Sequence, residues 1–461
     1  MAKKKEKTLE EKLQEALVPE NQWPYILPEN WCWTRLENIN KYRGKSVTPQ
    51  NNDDILFELY SVPSCENEYP EILTGSKIGS SKQLVEKKDV LLCKINPRIN
   101  RVWQVLEYTN NTLLASSEWI VVRNRRLNSD YLVWYFKSPY FRECMLSNVS
   151  GVGGSLMRAK PKAVMEYPVP LAPLSEQKRI VNRIESLFAK LDEAKEKIQQ
   201  VLDGAEMRKA AILHKAFTGE LTKTWRKENG ISEDSWGVKK LKDITTPKAG
   251  FAFNSKKFTS EGYQIIRMGN LYGGKLDLDR VPVFYAPENI DEKIKKRAML
   301  HDNDIVITLT GTKYKRDYGY AVLIKEPLNL FLNQRILALS PIEKIVNSTF
   351  LLYSLRSKDF RDIFFSNETG GVNQGNVSSK FVENIKIKIP LLEEQREIVK
   401  VLNHQLEFVD DTTKICKDAY EQIDTMKKSI LAKAFRGELG TNNPTEDSAL
   451  NFLKEVLQDK F

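Results

Sequence analysis

The 461-residue sequence contains few cysteines and very few histidines, and these shortages exclude several classes of protein. The five cysteines are scattered and form no Cys-x-x-Cys pair, so neither a disulfide framework nor a zinc knuckle is predicted. The three histidines lie far apart along the chain, which argues against a histidine-based metal site. We therefore expect a reducing compartment and no metal ion bound to this chain.

Long hydrophobic runs are also missing. No stretch of 18 apolar residues occurs, and the lysines at the start are not followed by the apolar core of a signal peptide. We expect a soluble protein of the cytoplasm. Hydrophobic residues at 41% and charged residues at 29% are ordinary values for a folded chain. At about 150 residues per domain, the length predicts two or three domains.

Signatures of catalysis are absent as well. The segment GNLYGGKL from Gly269 departs from a phosphate-binding loop, because Leu276 stands where a metal-binding hydroxyl is required. The segment INPRIN from Ile95 contains Asn-Pro but lacks the following proline and aromatic residue that amino-methyltransferases use to hold a flipped adenine. Neither a nucleophile elbow nor a paired-carboxylate nuclease centre is found. The sequence therefore predicts no catalytic residue.

What the chain does contain is an internal repeat. EQKRIVNRIESLF from Glu176 matches EQREIVKVLNHQL from Glu394, and AILHKAFTGEL from Ala211 matches SILAKAFRGEL from Ser429. Both matches have an offset of 218 residues, so the register holds over about 45 residues without a gap. The chain is therefore built from two related halves.

Each half also contains a diverged segment that begins with tryptophan. WCWTRLENI from Trp31 pairs with WGVKKLKDI from Trp236 at an offset of 205, so the second diverged segment is 13 residues longer. Residues 31–170 and 236–390 mix short β-branched runs with amphipathic stretches, which predicts a mixed α and β domain in each. The predicted strands are DVLLCKI from Asp89, SEWIVVR from Ser117, DIVITLTGT from Asp304 and RILALS from Arg335, and the predicted helices are YLVWYFKSPYFREC from Tyr131 and FLLYSLRSKDFRDIFF from Phe350.

The repeated segments are predicted to be two long helices. Their apolar residues recur alternately three and four positions apart, which is the pattern of a coiled-coil seam. Each helix would have about 42 residues and be roughly 63 Å long, with Gly204 weakening the first. Such a helix must bury its seam, and the nearest partner is the other copy. The seam residues are Ile180, Ile184, Leu187, Leu191 and Ile198 in the first helix and Ile398, Leu402, Val409, Ile423, Met426 and Ile430 in the second.

The predicted fold class is therefore α+β, with two mixed α/β domains in tandem pseudo-repeat, separated by two long helices. Short amphipathic segments near both ends are expected to form helices that pack together. The predicted divisions are an N-terminal tail (1–30), a first domain (31–174), a first long helix with its linker (175–235), a second domain (236–392), a second long helix (393–440) and a C-terminal tail (441–461).

The net charge of +10 is concentrated in the two diverged segments. Residues 31–170 hold 19 basic and 14 acidic side chains and residues 236–390 hold 25 and 16, so the rest of the chain is net −4. This distribution fits two nucleic-acid readers on a neutral helical frame better than it fits a membrane surface. Loops that mix glycine with cationic and amide side chains suit contacts to phosphates and base edges. The predicted DNA contacts are Arg43, Lys45, Lys77, Lys94, Arg98, Arg101 and Arg158 in the first segment and Lys256, Lys257, Arg267, Asn270, Thr312, Lys313, Lys315, Arg316, Gln334, Arg335 and Asn376 in the second, with arginines and amides favouring bases and lysines phosphates.

With these features the chain resembles the specificity subunits of type I restriction-modification systems. The resemblance rests on PLSEQKRI and LLEEQREI at the helix starts, HKAFTGEL and AKAFRGEL at their ends, the tryptophan-led domain starts and TGGVNQGNVS before the second helix. It implies two target-recognition domains that each read half of a split double-stranded DNA site, and helices that pair antiparallel as a spacer. The first domain departs from the second at SGVGGSLMRAK, where the Gly-Gly-x-x-x-Gly-Asn pattern is missing.

The resemblance also implies partners. Two modification subunits would bind S-adenosylmethionine and methylate adenines, and restriction subunits would use ATP and Mg²⁺ to translocate and cut DNA. This chain itself would bind no cofactor and have no catalysis of its own. Antiparallel pairing would relate the two domains by a pseudo-twofold axis, so we expect different half-sites on opposite strands with an unread spacer between them.

Two other functions are compatible with the sequence. The first is a single-chain DNA methyltransferase or nuclease with an unrecognised catalytic centre, which activity of the purified chain with Mg²⁺ or S-adenosylmethionine would support. The second is a coiled-coil scaffold that binds only proteins. That function predicts no sequence-specific retention on DNA even with partner subunits present.

Overall fold

The computed structural model of the chain describes residues 7–150, 157–326, 329–371 and 373–458. The chain divides into two compact units, which we call unit 1 (Met1–Ile198 with Asp418–Phe461) and unit 2 (Gln199–Lys417). Each unit therefore combines one mixed α/β domain with parts of both long helices. Within motifs noted above, residues 151–156 and Val372 lie outside the described residues.

The first part of the chain carries the elements of unit 1. In chain order they are α1 (Leu9–Ala16), β1 (Cys32–Arg35), α2 (Leu36–Ile39), β2 (Ser46–Val47), β3 (Leu56–Tyr60), β4 (Glu71–Thr74), β5 (Lys82–Leu84), β6 (Val90–Cys93), β7 (Val102–Gln104), β8 (Thr112–Ala115), β9 (Trp119–Val122), α3 (Ser129–Phe136), α4 (Pro139–Ser147), β10 (Val149–Ser150), β11 (Arg158–Ala159), α5 (Pro161–Met165), β12 (Pro168–Leu171) and the long helix α6 (Leu174–Asp203).

The rest of the chain carries unit 2 and then returns to unit 1. The elements are α7 (Ala205–Phe217), α8 (Lys223–Glu228), β13 (Gly237–Lys240), α9 (Leu241–Ile244), β14 (Thr245–Ala249), β15 (Phe258–Thr259), β16 (Tyr263–Ile266), β17 (Phe284–Tyr285), α10 (Glu292–Ala298), β18 (Ile305–Thr308), β19 (Thr310–Gly311), β20 (Ala321–Leu323), β21 (Leu330–Leu332), β22 (Ile336–Pro341), α11 (Ser348–Arg356), α12 (Lys358–Ser366), β23 (Gly375–Asn376), α13 (Ser379–Asn384), β24 (Lys386–Ile389), α14 (Leu392–Ala434) and α15 (Ala449–Gln458).

The two units build their sheets on related plans. Unit 1 has a five-stranded sheet in the order β2-β5-β8-β3-β4 and a three-stranded sheet β7-β6-β9. Unit 2 has the sheets β15-β17-β16-β21 and β14-β22-β18-β20. Each unit contains one parallel pair, β3 with β8 and β16 with β21, among otherwise antiparallel strands. The small antiparallel pairs are β1-β12 and β10-β11 in unit 1 and β13-β24 and β19-β23 in unit 2.

Two predicted amphipathic helices each divide into a pair of helices. The first becomes α3 and α4, and the second becomes α11 and α12. A serine causes the break in both cases, because the Ser138 hydroxyl accepts the backbone N–H of Phe141 and the Ser357 hydroxyl accepts that of Phe360. A serine in this position caps a new helix better than it continues an old one. The prediction of one continuous helix was wrong at these two places.

The core of unit 1 joins the domain to both ends of the chain. Phe435, just after α14, packs its ring 5.2 Å from that of Tyr131 and 5.1 Å from that of Tyr135, measured between centroids. The terminal helices α1 and α15 pack together as predicted, with Leu13 and Leu453 buried in the same core. The core of unit 2 packs α11 and α12 against β18, β22 and the start of α14.

The long helices pack antiparallel within each unit. In unit 1 the Nζ of Lys195 lies 3.2 Å from an oxygen of Asp424, and the Nζ of Lys427 lies 2.5 Å from an oxygen of Asp192. From one ion pair to the next, the residue number falls on the first helix and rises on the second, so the two helices run antiparallel. In unit 2 the Nζ of Lys209 on α7 lies 2.5 Å from an oxygen of Asp410 on α14.

Seam burial differs along the helices. The first helix divides at Gly204, although backbone hydrogen bonds continue from Gln200 through Gly204 to Arg208. Met426 is 46% exposed, so its assignment to the seam was wrong. After Ile423 the residues that face the other helix are Lys427 and the buried Leu431, two successive steps of four residues where the prediction had a step of three to Met426. Of the other predicted seam residues, Ile180, Ile184, Ile398, Leu402, Val409 and Ile423 are buried, and Leu187, Leu191, Ile198 and Ile430 are partly buried.

Candidate nucleic-acid interface

Three loops of unit 1 meet at one surface beside the three-stranded sheet. The loop between β6 and β7 joins the loop between β8 and β9 through the Lys94 N–H, which donates to the Glu118 carbonyl at 3.0 Å. It joins β11 through the Ala159 N–H, which donates to the Lys94 carbonyl at 2.8 Å. Arg158 pairs with the Glu118 carboxylate at 3.1 Å. We call this group of residues (94–101, 116–118 and 158–159) reading surface 1.

Unit 2 repeats the two backbone hydrogen bonds of this arrangement. The Leu309 N–H donates to the Arg335 carbonyl at 2.9 Å, and the Val377 N–H donates to the Leu309 carbonyl at 2.9 Å. The strand registers agree, because Cys93 faces Trp119 in unit 1 as Thr308 faces Ile336 in unit 2. We call residues 309–319, 333–335 and 375–377 reading surface 2. The shared scheme equates Lys94 with Leu309, Glu118 with Arg335, Arg158 with Asn376 and Ala159 with Val377.

Reading surface 2 borders a cleft of about 450 Å³ that contains three arginines. Arg267, Arg280 and Arg335 line it together with the amides of Asn333 and Gln334, and no carboxylate lines it. Arg335 has a backbone φ of 70°, and its side chain has no hydrogen bond or ion pair within the described part of the chain. Uncompensated arginines and amides on a concave surface suit contacts to phosphates and to base edges.

A buried asparagine holds one wall of this cleft. Asn270 is only 3% exposed; its side-chain nitrogen donates to the carbonyls of Asp277 and Arg280, each at 2.9 Å. Its side-chain oxygen accepts the Arg267 N–H at 2.9 Å. The predicted contact of Asn270 with DNA is therefore not available to this side chain as placed. Asn270 instead positions the backbone of two arginines that line the cleft.

A half-buried arginine holds the loop between β18 and β20 in place. Arg361 on α12 donates to the carbonyls of Gly319 at 3.0 Å and Arg316 at 3.1 Å, and its guanidinium lies over the rings of Tyr320 and Phe365. Burial lowers the pKa of Arg361. Removing this arginine would release the loop that carries Lys313, Lys315 and Arg316.

The glycine-rich segment before α13 is tied to the same loop. The Lys313 Nζ donates to the Gly370 carbonyl at 3.0 Å, and β19 pairs with β23 so that Thr310 faces Asn376. Burial, reinforced by a hydrogen bond to Glu368, raises the pKa of Tyr318, whose hydroxyl donates to that carboxylate at 2.6 Å. These contacts bring two predicted basic and amide-rich loops together.

The predicted contacts of unit 1 fall into two sets. Lys94 and Arg158 lie on reading surface 1, and Arg98 and Arg101 lie on the same loop, with Arg101 paired to Glu66 at 2.7 Å. The exposed residues Arg43, Lys45 and Lys77 form the second set, and no bond among the described residues ties them to the first.

In unit 2 most of the predicted contacts converge. Thr312, Lys313, Lys315, Arg316, Gln334, Arg335 and Asn376 lie on reading surface 2, and Arg267 lies in the adjoining cleft. Lys256 and Lys257 lie apart, on the turn before β15, where the Lys257 Nζ donates to the Asn289 side-chain oxygen at 3.2 Å. The sequence interpretation missed Arg280, which stands beside acidic residues, and Glu118, because only cations and polar uncharged side chains were considered.

The repeated Glu-Gln pair proves to be structural. Glu394 is fully buried and accepts hydrogen bonds from Thr222 at 2.7 Å, Arg226 at 2.5 Å and the Trp236 indole at 3.1 Å. Gln395 donates to the Ile345 carbonyl and accepts the Asn347 N–H at the start of α11. The pair thus fastens α14 to the domain.

Unit 1 repeats this joint with different partners. Glu176 is also fully buried and accepts hydrogen bonds from the Trp31 indole at 2.7 Å and from Asn442 at 3.0 Å. Gln177 accepts the Asn128 N–H at the start of α3. In both units the tryptophan at the start of the domain therefore contacts the glutamate of the Glu-Gln pair.

No helix within the described ranges is long and apolar enough to cross a membrane. Among the same residues, no group of three or more histidine, cysteine, aspartate or glutamate side chains is placed to hold a metal ion.

Comparison with known proteins identifies the class first. A family model described as the type I restriction modification DNA specificity domain matches residues 233–424. The matched residues include the loops of reading surface 2 and the cleft beside it.

Curated relatives extend the match to most of the chain. The type I restriction enzyme EcoBI specificity subunit of Escherichia coli is 26% identical over 349 residues, 71% of each chain. The MjaVIII specificity subunit of Methanocaldococcus jannaschii is 26% identical over 428 residues, which is 90% of this chain and 95% of the relative. Over most of its length the chain is therefore similar to type I restriction-modification specificity subunits.

Solved structures confirm the fold. The HsdS subunit from Thermoanaerobacter tengcongensis matches with a TM-score of 0.69 and 19% identity, covering 91% of this chain and all of that one. A second structure, described by the complex assembly and conformational transition of the type I R-M system, matches with a TM-score of 0.62 and 19% identity, covering 90% of this chain and all of that one. The predicted tandem of mixed domains with long antiparallel helices is confirmed.

Proposed function

We propose that each unit reads one half of a bipartite double-stranded DNA target for a type I restriction-modification complex. The observation that carries this proposal is the repetition of one hydrogen-bonded loop frame with different side chains. Lys94, Glu118 and Arg158 in unit 1 correspond to Leu309, Arg335 and Asn376 in unit 2. The same frame with different donors and acceptors would read different bases in the major groove.

We further propose that this chain acts without catalysis of its own. Two modification subunits would bind S-adenosylmethionine and methylate adenines, and restriction subunits would supply ATP- and Mg²⁺-dependent translocation and cleavage, all in the cytoplasm. The names of the relatives support a recognition role, and the description of the second solved structure supports assembly into a complex.

Binding measurements separate this function from its two alternatives. We expect the chain with its modification subunit to retain target DNA over scrambled DNA, and the chain alone to neither methylate nor cleave. Activity of the chain alone with Mg²⁺ or S-adenosylmethionine would favour a single-chain enzyme. Equal retention of both DNAs would favour a protein-binding scaffold.

Spacer length should follow helix length. Inserting one helical turn, about 5.4 Å, into both long helices should lengthen the unread gap between half-sites by one or two base pairs, since duplex DNA rises about 3.4 Å per base pair. The measurement is the methylated motif in cells that carry the variant. An insertion of equal length in the exposed turn at Gly230 serves as the control. An unchanged gap in the helix variant would contradict the proposal that helix length sets the distance between the half-sites.

Lys315 should contribute affinity without specificity. It is exposed and has no partner within the described residues, so it suits a phosphate. In Lys315→Ala we expect affinity to fall by a similar factor for target and non-target DNA, and the slope of log K against log salt to become shallower by about 0.9. The control is Lys388→Ala on β24, which removes the same charge from the exposed face of a frame strand. An unchanged slope in the Lys315 variant would exclude the contact.

A further inference from the structure

The matched positions of the two reading surfaces carry opposite charges. Glu118 and Arg335 are equivalent by two criteria. Each lies one residue before the matched strand residue, Trp119 or Ile336. The backbone carbonyl of each accepts the corresponding N–H, from Lys94 or Leu309. In unit 2 the position is cationic, and its side chain has no partner among the described residues. In unit 1 it is a carboxylate at the centre of a surface whose other charged members are Lys94, Arg98, Arg101 and Arg158.

A carboxylate at this place weakens DNA binding unless it gains a hydrogen-bond donor. Phosphates repel it, and phosphate contacts dominate affinity for DNA. Its role in holding Arg158 uses only Oε1, at 3.1 Å from the guanidinium. Oε2 is shielded from water and has no hydrogen-bond partner within the described part of the chain. A shielded acceptor without a donor has lost its hydrogen bonds to water, and it stays destabilising until a donor binds it.

Other unpartnered atoms lie on the same surface. Of the four shielded side-chain atoms without a partner in the described part of unit 1, three belong to it, namely Asn96 Oδ1, Arg101 Nε and Glu118 Oε2. The Asn96 backbone is left-handed, with a φ of 48°, and is held by its N–H donating to the Met157 carbonyl at 2.8 Å. Unsatisfied polar groups concentrated on one surface point to a ligand that supplies both donors and acceptors. Base edges in the major groove do so.

We propose that Glu118 is a specificity-determining residue of unit 1, accepting a hydrogen bond from the exocyclic amino group of a cytosine in the first half-site. Glutamate reads cytosine in this way because the N4 amino group is a donor in the major groove, whereas guanine O6 and N7 are only acceptors. Adenine also presents an amino donor, N6, but its neighbouring N7 is an acceptor that repels a carboxylate. Arg158, held by the same carboxylate, is then placed beside it for the guanine of that pair. The inference rests on the proposed DNA-reading function and adds the identity of one base.

Glu118→Gln tests the proposal without dismantling the loop. The amide oxygen still accepts from Arg158, whereas the carboxylate that selects an amino donor is lost. The matched control is Glu71→Gln on β4, an exposed acid outside the surface. The chain is purified with its modification subunit, and binding is measured by competition against duplexes randomised in the first half-site and fixed in the second.

We expect Glu118→Gln to reduce the preference for cytosine at one position of the first half-site by about tenfold or more and to leave the second half-site unchanged. Glu71→Gln should keep the wild-type preference. An unchanged preference in Glu118→Gln, or an equal loss of affinity for all sequences, would overturn the proposal and leave bipartite reading intact. A wild-type complex with no sequence preference would instead overturn the proposed function, and this inference with it.

Discussion

Glu394→Ala should destabilise unit 2 by about 3 to 5 kcal/mol, the largest effect on stability that we expect from a single substitution in this chain. Glu394 is fully buried, and its partner Arg226 is only 6% exposed. Truncating the carboxylate leaves the guanidinium charge buried with hydrogen bonds only to Thr222 and the Gly219 carbonyl. It also removes the acceptor of the Trp236 indole.

Hydrogen exchange of backbone amides in α11 and α12 measures this loss, because it reports on unit 2 separately from unit 1. The control is Glu393→Ala, an exposed acid one residue away on the same helix, which should change stability by less than about 0.5 kcal/mol. Equal protection in the two variants would show that the buried pair does not fasten α14 to the domain.

Arg335→Gly should relax recognition at one position of the second half-site. The arginine side chain has no partner among the residues that the structure describes, and its backbone φ of 70° is one that glycine adopts without strain. A bidentate contact of arginine to guanine is worth about 1 to 3 kcal/mol of discrimination, so we expect the preference at that position to fall by about 5- to 150-fold. Binding competition among duplexes that differ only at that base pair measures the change.

Arg396→Ala is the matched control for Arg335→Gly. Arg396 is an exposed arginine on α14, outside the loops of reading surface 2 and outside the cleft. It removes the same charge, so any loss it shares with Arg335→Gly reflects general electrostatics. If Arg335→Gly weakens binding to all duplexes by the same factor and keeps the base preference, Arg335 contacts a phosphate and not a base.

The repeat in the sequence predicted most of the frame, for a physical reason. Long helices carry their signal locally, in apolar residues three and four apart, and the 218-residue offset placed both helices at once. Periodicity does not detect a helix cap inside an apolar run or a shift in the seam, and the wrong predictions lie at such places. Ser138 and Ser357 cap new helices inside apolar runs, and Met426 continues the spacing of a seam that had already advanced by one residue.

The sequence predicted the kinds of side chain at the site, but not which loops come together to form it. Its loops are separated in the chain and meet because β6 pairs with β9 and β18 with β22, contacts that no local pattern reveals. Asn270 illustrates the limit, since an amide suited to adenine proved to be an internal brace. Glu118 shows the opposite error. Nothing in the sequence was a reason to select an acid in a basic domain, and its place on the reading surface became evident only when it was matched to Arg335.

The most direct test of the central claim maps methylated adenines across the genome in cells with and without this gene, with the modification subunit present in both. We predict a motif of two short, different half-sites on opposite strands, separated by a fixed unread gap, that disappears when the gene is removed. A chain in which unit 2 alone is exchanged should alter one half-site and keep the other. Methylation that persists without the gene, or a single continuous motif, would contradict recognition by two separate readers.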